Sequence, residues 1–516
     1  MIRAKPQAAG FLAAALRGIA AACLASLALS LAACEGTPAS PPPQTVESTA
    51  TAEPGTSFAQ VTDTALPPPT DTPIPPSPTA DASATALAEA ERTRTRYKIE
   101  ADFDFSRHAL SASQTITYTN RLDEPLDELL LAVDPNLIPG VFELKSLTWE
   151  DGEPADGFTL EKTILSLPLQ APLMPGEQIT LSLEWAISLP ERSGELGYTE
   201  LQANLVDWYP YIPPYREGSG WVIDEAWPFG EYLTYESSDF DVRIRLTGGV
   251  RPVIAAGAVG REDGEWTAYK LEAARAFAWS ASPHYQVTTR QAGDVSVSAY
   301  TYPGHQPATE AALDEAVKAL ELFASLYGPY PQPVLTLVEA SFPDGMEFDG
   351  LIFISQGYIA EFDGTPQNFM TILTVHETAH QWWFGVVGNG QAQEPWLDEA
   401  IATYSELIFY ENYYPDLVEW WWFFRVNYFG PQGWIDGSIY DFSRFQEYFS
   451  SVYHRGAQFH RDLRASMGDE AYFGFLSEYL SLYRQKVAWS EDFMSLLQDK
   501  SPVDLEPLLQ EYFSPQ

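Results

Sequence analysis

Two cysteines in 516 residues, Cys23 and Cys34, leave no room for a disulfide framework. Basic residues are scarce: 29 Lys and Arg stand against 71 Asp and Glu, a formal charge of -42. That balance excludes nucleic acid, which needs a basic surface, and an anionic membrane as a direct electrostatic partner. It suits an exported enzyme kept dispersed by its own charge. Histidine is rarer still, seven in all. Long apolar runs are missing too: the stretch from Gly18 to Ala33 is too short and too poorly flanked for a membrane span. Apolar content of 45% is ordinary and aromatic content of 14% is high. By length the chain has material for roughly two to four domains with a real core.

Arg3, Lys5 and Arg17 precede the apolar stretch, the order of a signal peptide, expected over residues 1–33. It ends in Leu31-Ala32-Ala33-Cys34, which resembles a bacterial lipobox. That resemblance implies cleavage before Cys34 and a lipid on it. Cys23 would leave with the peptide. The expected location is outside the cytoplasm, lipid-anchored to a bacterial cell membrane, with the anchor as the sole membrane contact. An ordinary signal peptide with a chance cysteine and a retained anchor are the alternatives. Residues 34–96 are rich in Pro, Thr, Ser and Ala, as in Leu66-Pro67-Pro68-Pro69-Thr70, and cannot bury enough surface to fold. They read as a semi-extended tether, with plain disorder as the alternative.

From Tyr97 the pattern alternates. Tyr97 to Phe105, Gln114 to Tyr118, Gln178 to Trp185, Phe240 to Leu246 and Val295 to Tyr300 read as strands separated by Gly, Pro, Asn and Asp. An antiparallel β-rich domain is expected over 97–290. Helical spacing begins near Ala308, where Leu313, Val317, Leu320 and Phe323 make one stripe that Gly328-Pro329 ends. Pro333 to Ala340 and Leu351 to Ser355 read as strands. From Asn368 the chain reads as mainly helical, with a loop from Gly430 to Gly437. The expected fold class is therefore α+β and multidomain, with a second domain over 291–516.

Within that second part stands His376-Glu377-Thr378-Ala379-His380. Two histidines four apart on a helix share one face, so both reach one metal. Glu377 is rotated by about 100° and can face a water without ligating the metal. Eighteen residues separate His380 from Glu399. Gly388, Asn389 and Gly390 supply a turn, and Pro395 suits the first turn of a second helix that carries Glu399 back. Two His, one Glu and an open position make a catalytic zinc site, one ion per chain. The bland alternative, two chance histidines on an amphipathic helix, leaves the Glu between them unexplained. Another divalent metal remains open. Glu377 is the expected general base for a zinc-activated water.

The stretches His376 to Gly385 and Glu394 to Ala400 resemble the aminopeptidase N family of gluzincins. Gly345-Met346-Glu347 resembles that family's Gly-Ala-Met-Glu-Asn signature, and Val452 to Ala457 its Tyr-Glu-Lys-Gly segment. The resemblance implies a thermolysin-like catalytic domain after the β domain. It implies that Tyr453 stabilises the developing oxyanion and that Glu347, with Gly345 and Met346, binds the substrate's free α-ammonium. Asp344, Gly345 and Phe348 stand where the family has Gly, Ala and Asn: Asp344 would strengthen attraction to an ammonium, and Phe348 would reshape the first subsite. Only about 60 residues follow Tyr453, so the large C-terminal helical domain of many relatives is expected to be missing.

Four further residues and one run carry weaker expectations. Glu406, seven after Glu399, either supports a zinc histidine or makes a surface salt bridge. His454 and Arg455 are at most pocket lining, and Gln202 is a candidate second ammonium contact. Trp420-Trp421-Trp422-Phe423-Phe424 reads as a buried helix in the cleft wall, with an apolar subsite or membrane-facing patch as the sharper readings. The leading expectation is removal of N-terminal residues from peptides with a free N-terminus. A zinc endopeptidase on the same scaffold is the second reading, and a non-catalytic surface lipoprotein that binds peptides or glycans the third. The sequence says nothing of oligomeric state.

Overall fold

A computed structural model describes residues 92–515. The expected signal peptide, the lipidated Cys34 and nearly all of the tether lie outside the described residues. Among those described, no helix is long and apolar enough to cross a membrane.

The alternating segments form a seven-stranded sheet. In spatial order its strands are Arg261–Asp263, Trp266–Ala274, Ser238–Leu246, Arg96–Asp104, Ala109–Thr119, Gln178–Ser188 and Phe142–Trp149. Residues of alternating burial, such as Ile99, Ala101 and Phe103, face the core, while their neighbours meet solvent. One pair departs from the antiparallel expectation: Arg96–Asp104 runs parallel to Ser238–Leu246. Smaller sheets of two, three and four strands complete this half.

The C-terminal half opens on a five-stranded sheet. Its order is Gln286–Ala292, Val295–Thr301, Val334–Ala340, Leu351–Ser355, Met346–Phe348. Both expected strands beside the motif helix are present. The strand Gln286–Ala292 begins four residues before the expected boundary at 290 and already pairs within this second sheet. Met346–Phe348 is the antiparallel edge strand.

Helix α1 (Gln306–Tyr327) packs on this sheet and ends at Gly328, whose φ of 102° a side chain would resist. Helix α2 (Phe369–Ala379) carries the histidines. Asn368 caps it by accepting a hydrogen bond from the Thr371 amide at 2.9 Å. Helix α3 (Trp396–Tyr413) follows, with Pro395 before it. Helix α4 (Gly456–Met467) packs on α3, and Gly456 allows the approach: a Cβ there would lie 2.4 Å from that of Ala400.

Candidate metal centre and cleft

Helices α2 and α3 bring three atoms to one point. His376 Nε2 lies 3.1 Å from Glu399 Oε2 and 3.1 Å from His380 Nε2, and His380 Nε2 lies 3.4 Å from Glu399 Oε2. Ligands on a tetrahedral zinc, at about 2.0–2.2 Å, sit about 3.3–3.5 Å apart. The other nitrogen of each ring is committed. His376 Nδ1 meets Glu406 Oε1 at 2.8 Å, and His380 Nδ1 faces the Trp383 carbonyl at 3.4 Å. Both Nε2 atoms therefore present lone pairs to each other and to a carboxylate, an arrangement that a cation between them satisfies. Burial opposes charge on His376, yet hydrogen bonds to Glu399 and Glu406 carry its pKa up to about 9. Burial likewise opposes charge on Glu399, but the histidines hold its carboxyl well below the usual range. The surroundings favour positive charge at this point, and the donor set fits a zinc ion.

Glu406 is fully buried, so of its two expected readings the surface salt bridge is overturned. It accepts from Trp421 Nε1 at 3.0 Å and from two nitrogens of Arg425 at 2.9 Å. Arg425 and Trp421 carry no spacing signal in the sequence. The aromatic run containing Trp421 is only partly the buried wall expected of it. Trp421 is buried, but Phe423 is 62% exposed.

Glu377 points the other way, into the cleft. Its Oε2 is buried with no hydrogen-bond partner among the described residues. Burial pushes its carboxyl well above the ordinary range. The edge strand passes close by. A Cβ on Gly345 would stand 2.2 Å from Glu377 Oε1, so glycine is what lets strand and carboxylate meet. Gln381 fixes their relation, donating to the Phe348 carbonyl at 3.0 Å and accepting from the Gly350 amide at 3.0 Å. Glu347 on that strand is buried, and oxygen atoms of Glu347 and Glu377 and a nitrogen of His380 lie within 4.8 Å of one another. Gln391 Nε2 donates to Glu347 Oε1 at 3.4 Å.

These groups line one cavity of about 760 Å³. Gly345, Met346, Asp344, Phe348 and Tyr453 line it as well. Tyr453 lies parallel to the His376 ring, 6.0 Å away and tilted by 14°. Burial pushes its phenol well above the ordinary range, and Glu399, to which the phenol hydrogen-bonds, adds to the shift. Three expectations fall. Gln202 is spent on a junction outside the cavity, where it donates to Tyr285 at 2.7 Å and accepts from the Ser341 amide at 2.7 Å. His454 is buried outside the cavity, stacked on Phe429, and Arg455 lies over Tyr512. Sequence reasoning also missed Glu231 and Tyr448, which line the cavity from a segment without periodicity and from a short helix.

Comparison with known proteins agrees with this geometry. Residues 311–512 match the model of the peptidase family M1 domain. Over 230 residues the chain is 29% identical to aminopeptidase M1-D of Oryza sativa subsp. japonica, covering 41% of this chain and 26% of that protein. Over 228 residues it is 26% identical to human endoplasmic reticulum aminopeptidase 1, covering 41% of this chain and 24% of that protein. The chain thus spans about a quarter of the length of these relatives. The M1 zinc metallopeptidase from Deinococcus radiodurans shares the fold, with a TM-score of 0.58 at 19% identity over 82% of this chain and 95% of that one.

Proposed function

We propose that this chain, whose C-terminal half belongs to peptidase family M1 among the aminopeptidase N-like gluzincins, is a zinc peptidase that removes single residues from the free N-terminus of peptides. One observation carries the reading: the three convergent metal ligands stand beside Glu377, and Glu347 reaches within 4.8 Å of Glu377 and His380.

His376, His380 and Glu399 hold the ion. Bound there, zinc supplies Lewis acidity toward the scissile carbonyl and acidity to a water. Glu377 takes the proton of the attacking water with its unpartnered oxygen and returns it to the leaving nitrogen. Its raised pKa, set first by burial, suits an acid that must also give the proton back. Tyr453, fixed beside His376, donates its phenol proton in a hydrogen bond to the oxyanion. Glu406 holds His376 in the tautomer that leaves Nε2 free.

Glu347 sets the register. The nitrogen and carbonyl carbon of one residue are about 2.5 Å apart. An ammonium paired with Glu347 therefore places the first peptide bond, and no later one, against Glu377. A mutant of the Deinococcus radiodurans enzyme has been solved with a Tyr-Ser-Ala substrate, a short peptide of the kind this register admits.

The test compares aminoacyl fluorogenic amides with matched N-acetylated peptides, using the zinc-loaded full chain. Cleavage of free-amine substrates alone, lost with chelator and in Glu377→Ala, is the expected outcome. Equal cleavage of blocked peptides would replace the exopeptidase reading with an endopeptidase.

A further inference from the structure

A second cavity, of about 330 Å³, shares no lining residue with the cleft. Segments distant in sequence build it. Arg94 stands just ahead of the strand Arg96–Asp104, and Lys270, Glu272 and Ala273 belong to the strand Trp266–Ala274. Gly385 and Val386 come from the turn after the motif helix, and Arg484 and Gln485 follow the helix Asp469–Leu482. The cavity therefore sits where the β half meets the C-terminal half.

Its walls are held in an uncommon backbone. Five non-glycine residues among those described have φ in the left-handed region, and two of them, Ala273 at 53° and Gln485 at 62°, line this cavity. Such conformations persist only where the surroundings enforce them. Arg94 enforces both. Glu272 and Ala273 together stand opposite Asp239, a bulge in the ladder between Ser238 and Phe240. The Ala273 amide donates to Asp239 Oδ1 at 3.0 Å, and Arg94 Nε donates to the same oxygen at 2.7 Å. Arg94 Nη1 donates to Gln485 Oε1 at 2.9 Å, while the Gln485 amide donates to the Val386 carbonyl at 2.8 Å.

Two cations open on this rigid frame without a partner. The side chains of Lys270 and Arg484 make no hydrogen bond or ion pair among the described residues. The chain carries 71 acidic residues against 29 basic ones, so carboxylates to pair with are plentiful. Glu272, two residues from Lys270 and on the same face of the strand, is the one carboxylate lining the cavity. Asp239 balances Arg94, so Lys270 and Arg484 against Glu272 leave a cationic cavity in an anionic molecule.

We propose that this junction cavity binds a small oxyanion, a phosphate or a carboxylate, between Arg484 and Lys270. The guanidinium fork of Arg484 matches two oxygens of such a group, and the Lys270 ammonium meets the remaining charge. The volume lies at the lower end of the range for small-molecule sites. Because Arg94 already fixes the walls, little ordering opposes binding. The anion bridges a strand of the β half and a loop of the C-terminal half, so its occupancy stabilises the fold by mass action. None of this depends on the peptidase reading.

Thermal melting of the zinc-loaded full chain tests it, with potassium phosphate or succinate titrated while potassium chloride keeps the ionic strength constant. A saturating rise in melting temperature is expected, and its presence with phosphate, with succinate or with both identifies the oxyanion. Arg484→Gln and Lys270→Gln are each expected to raise the half-saturating concentration about tenfold or more, the loss of one hydrogen bond to a charged group. Arg261→Gln is the control: Arg261 is exposed, lies outside both cavities and is likewise unpaired, so its loss should leave the titration unchanged. None of the three side chains bonds within the fold, so each variant should melt as wild type without the anion. The titration is repeated on metal-free chain, because both anions also ligate zinc. A rise that vanishes with the metal, or one that survives unchanged in both cavity variants, would place the anion elsewhere and overturn the proposal. So would the absence of a rise with either anion.

Discussion

At the scale of the residue, the site works by close approach. Gly345 is the clearest case, because any side chain there meets the Glu377 carboxylate at 2.2 Å. Gly345→Ala is expected to lower kcat by about 100-fold or more with zinc content and melting temperature little changed, because a displacement of about 1 Å at the base suffices. Equal kcat in the variant would mean that Glu377 acts from another rotamer. Glu406 works at one remove. Glu406→Ala leaves Arg425 buried without its carboxylate and His376 without its orienting acceptor, so about 3–5 kcal/mol of stability and 10–100-fold in zinc affinity should be lost, read by denaturant unfolding and chelator competition. His460 titrates rather than catalyses. Burial holds its pKa down at about 3, so the fold excludes the charged form. The unfolded chain takes up that proton below about pH 6.5, so the contribution is whole above that value and fades as pH falls toward 3, by up to about 1.4 kcal/mol per unit. Between pH 6.5 and 5 the wild type should lose about 2 kcal/mol more than His460→Gln, and parallel stability curves would refute it. The metal ligands were legible because a helix repeats every 3.6 residues, which fixes His376 and His380 on one face. Arg425, Trp421 and Glu231 reach the site across distant chain segments, and no local spacing marks them.

Elements differ in how plainly the sequence declares them. The strand Arg96–Asp104 is legible because its inward residues alternate with polar ones, and α1 because its apolar stripe ends at glycine. What that strand pairs with is not, since Ser238–Leu246 lies more than 130 residues away and alternation is indifferent to strand direction. Residues 222–235 are the extreme case: they have no regular structure and their order comes from Tyr440, Tyr448 and Gln393, so they read in isolation as loop. The motif helix is the opposite, an element whose start is written locally. Asn368 caps it through the Thr371 amide, and Asn368→Ala should cost about 1 kcal/mol in unfolding free energy. Asn368→Asp should restore it, since the acceptor and the favourable charge at a helix N-terminus both remain. Failure of the aspartate to rescue would mean that the side chain matters for packing and not for capping.

At the scale of the whole molecule, Arg275 joins the two halves. It sits in the β half just after the strand Trp266–Ala274 and is buried. Its guanidinium donates to the carbonyls of Phe384 at 3.1 Å, Tyr235 at 3.1 Å and Lys486 at 2.7 Å, and its backbone amide donates to Asp349 at 2.6 Å. One side chain therefore ties together the turn after the motif helix, the irregular segment that ends at Tyr235 and a C-terminal loop, while Asp349 follows directly on the edge strand of Glu347. Burial lowers the Arg275 pKa to about 10 and raises that of Asp349 to about 6, so each ion leans on the other. Arg275→Met should leave the carbonyls without their donor and Asp349 without the nearby positive charge, while its hydrogen bond from the residue 275 amide stays, at a cost of about 3–5 kcal/mol. The halves should then unfold in two calorimetric transitions where the wild type shows one. Arg216 makes the contrasting link: it crosses the same two halves to Glu491, but that pair is largely exposed, so Arg216→Ala should change stability by less than about 1 kcal/mol. If the two substitutions cost the same, or if Arg275→Met still unfolds in a single transition, the halves are held by their apolar contact and Arg275 is not the joint. If they differ as expected, zinc affinity should weaken in Arg275→Met, because the turn after His380 hangs from the same guanidinium as the C-terminal loop.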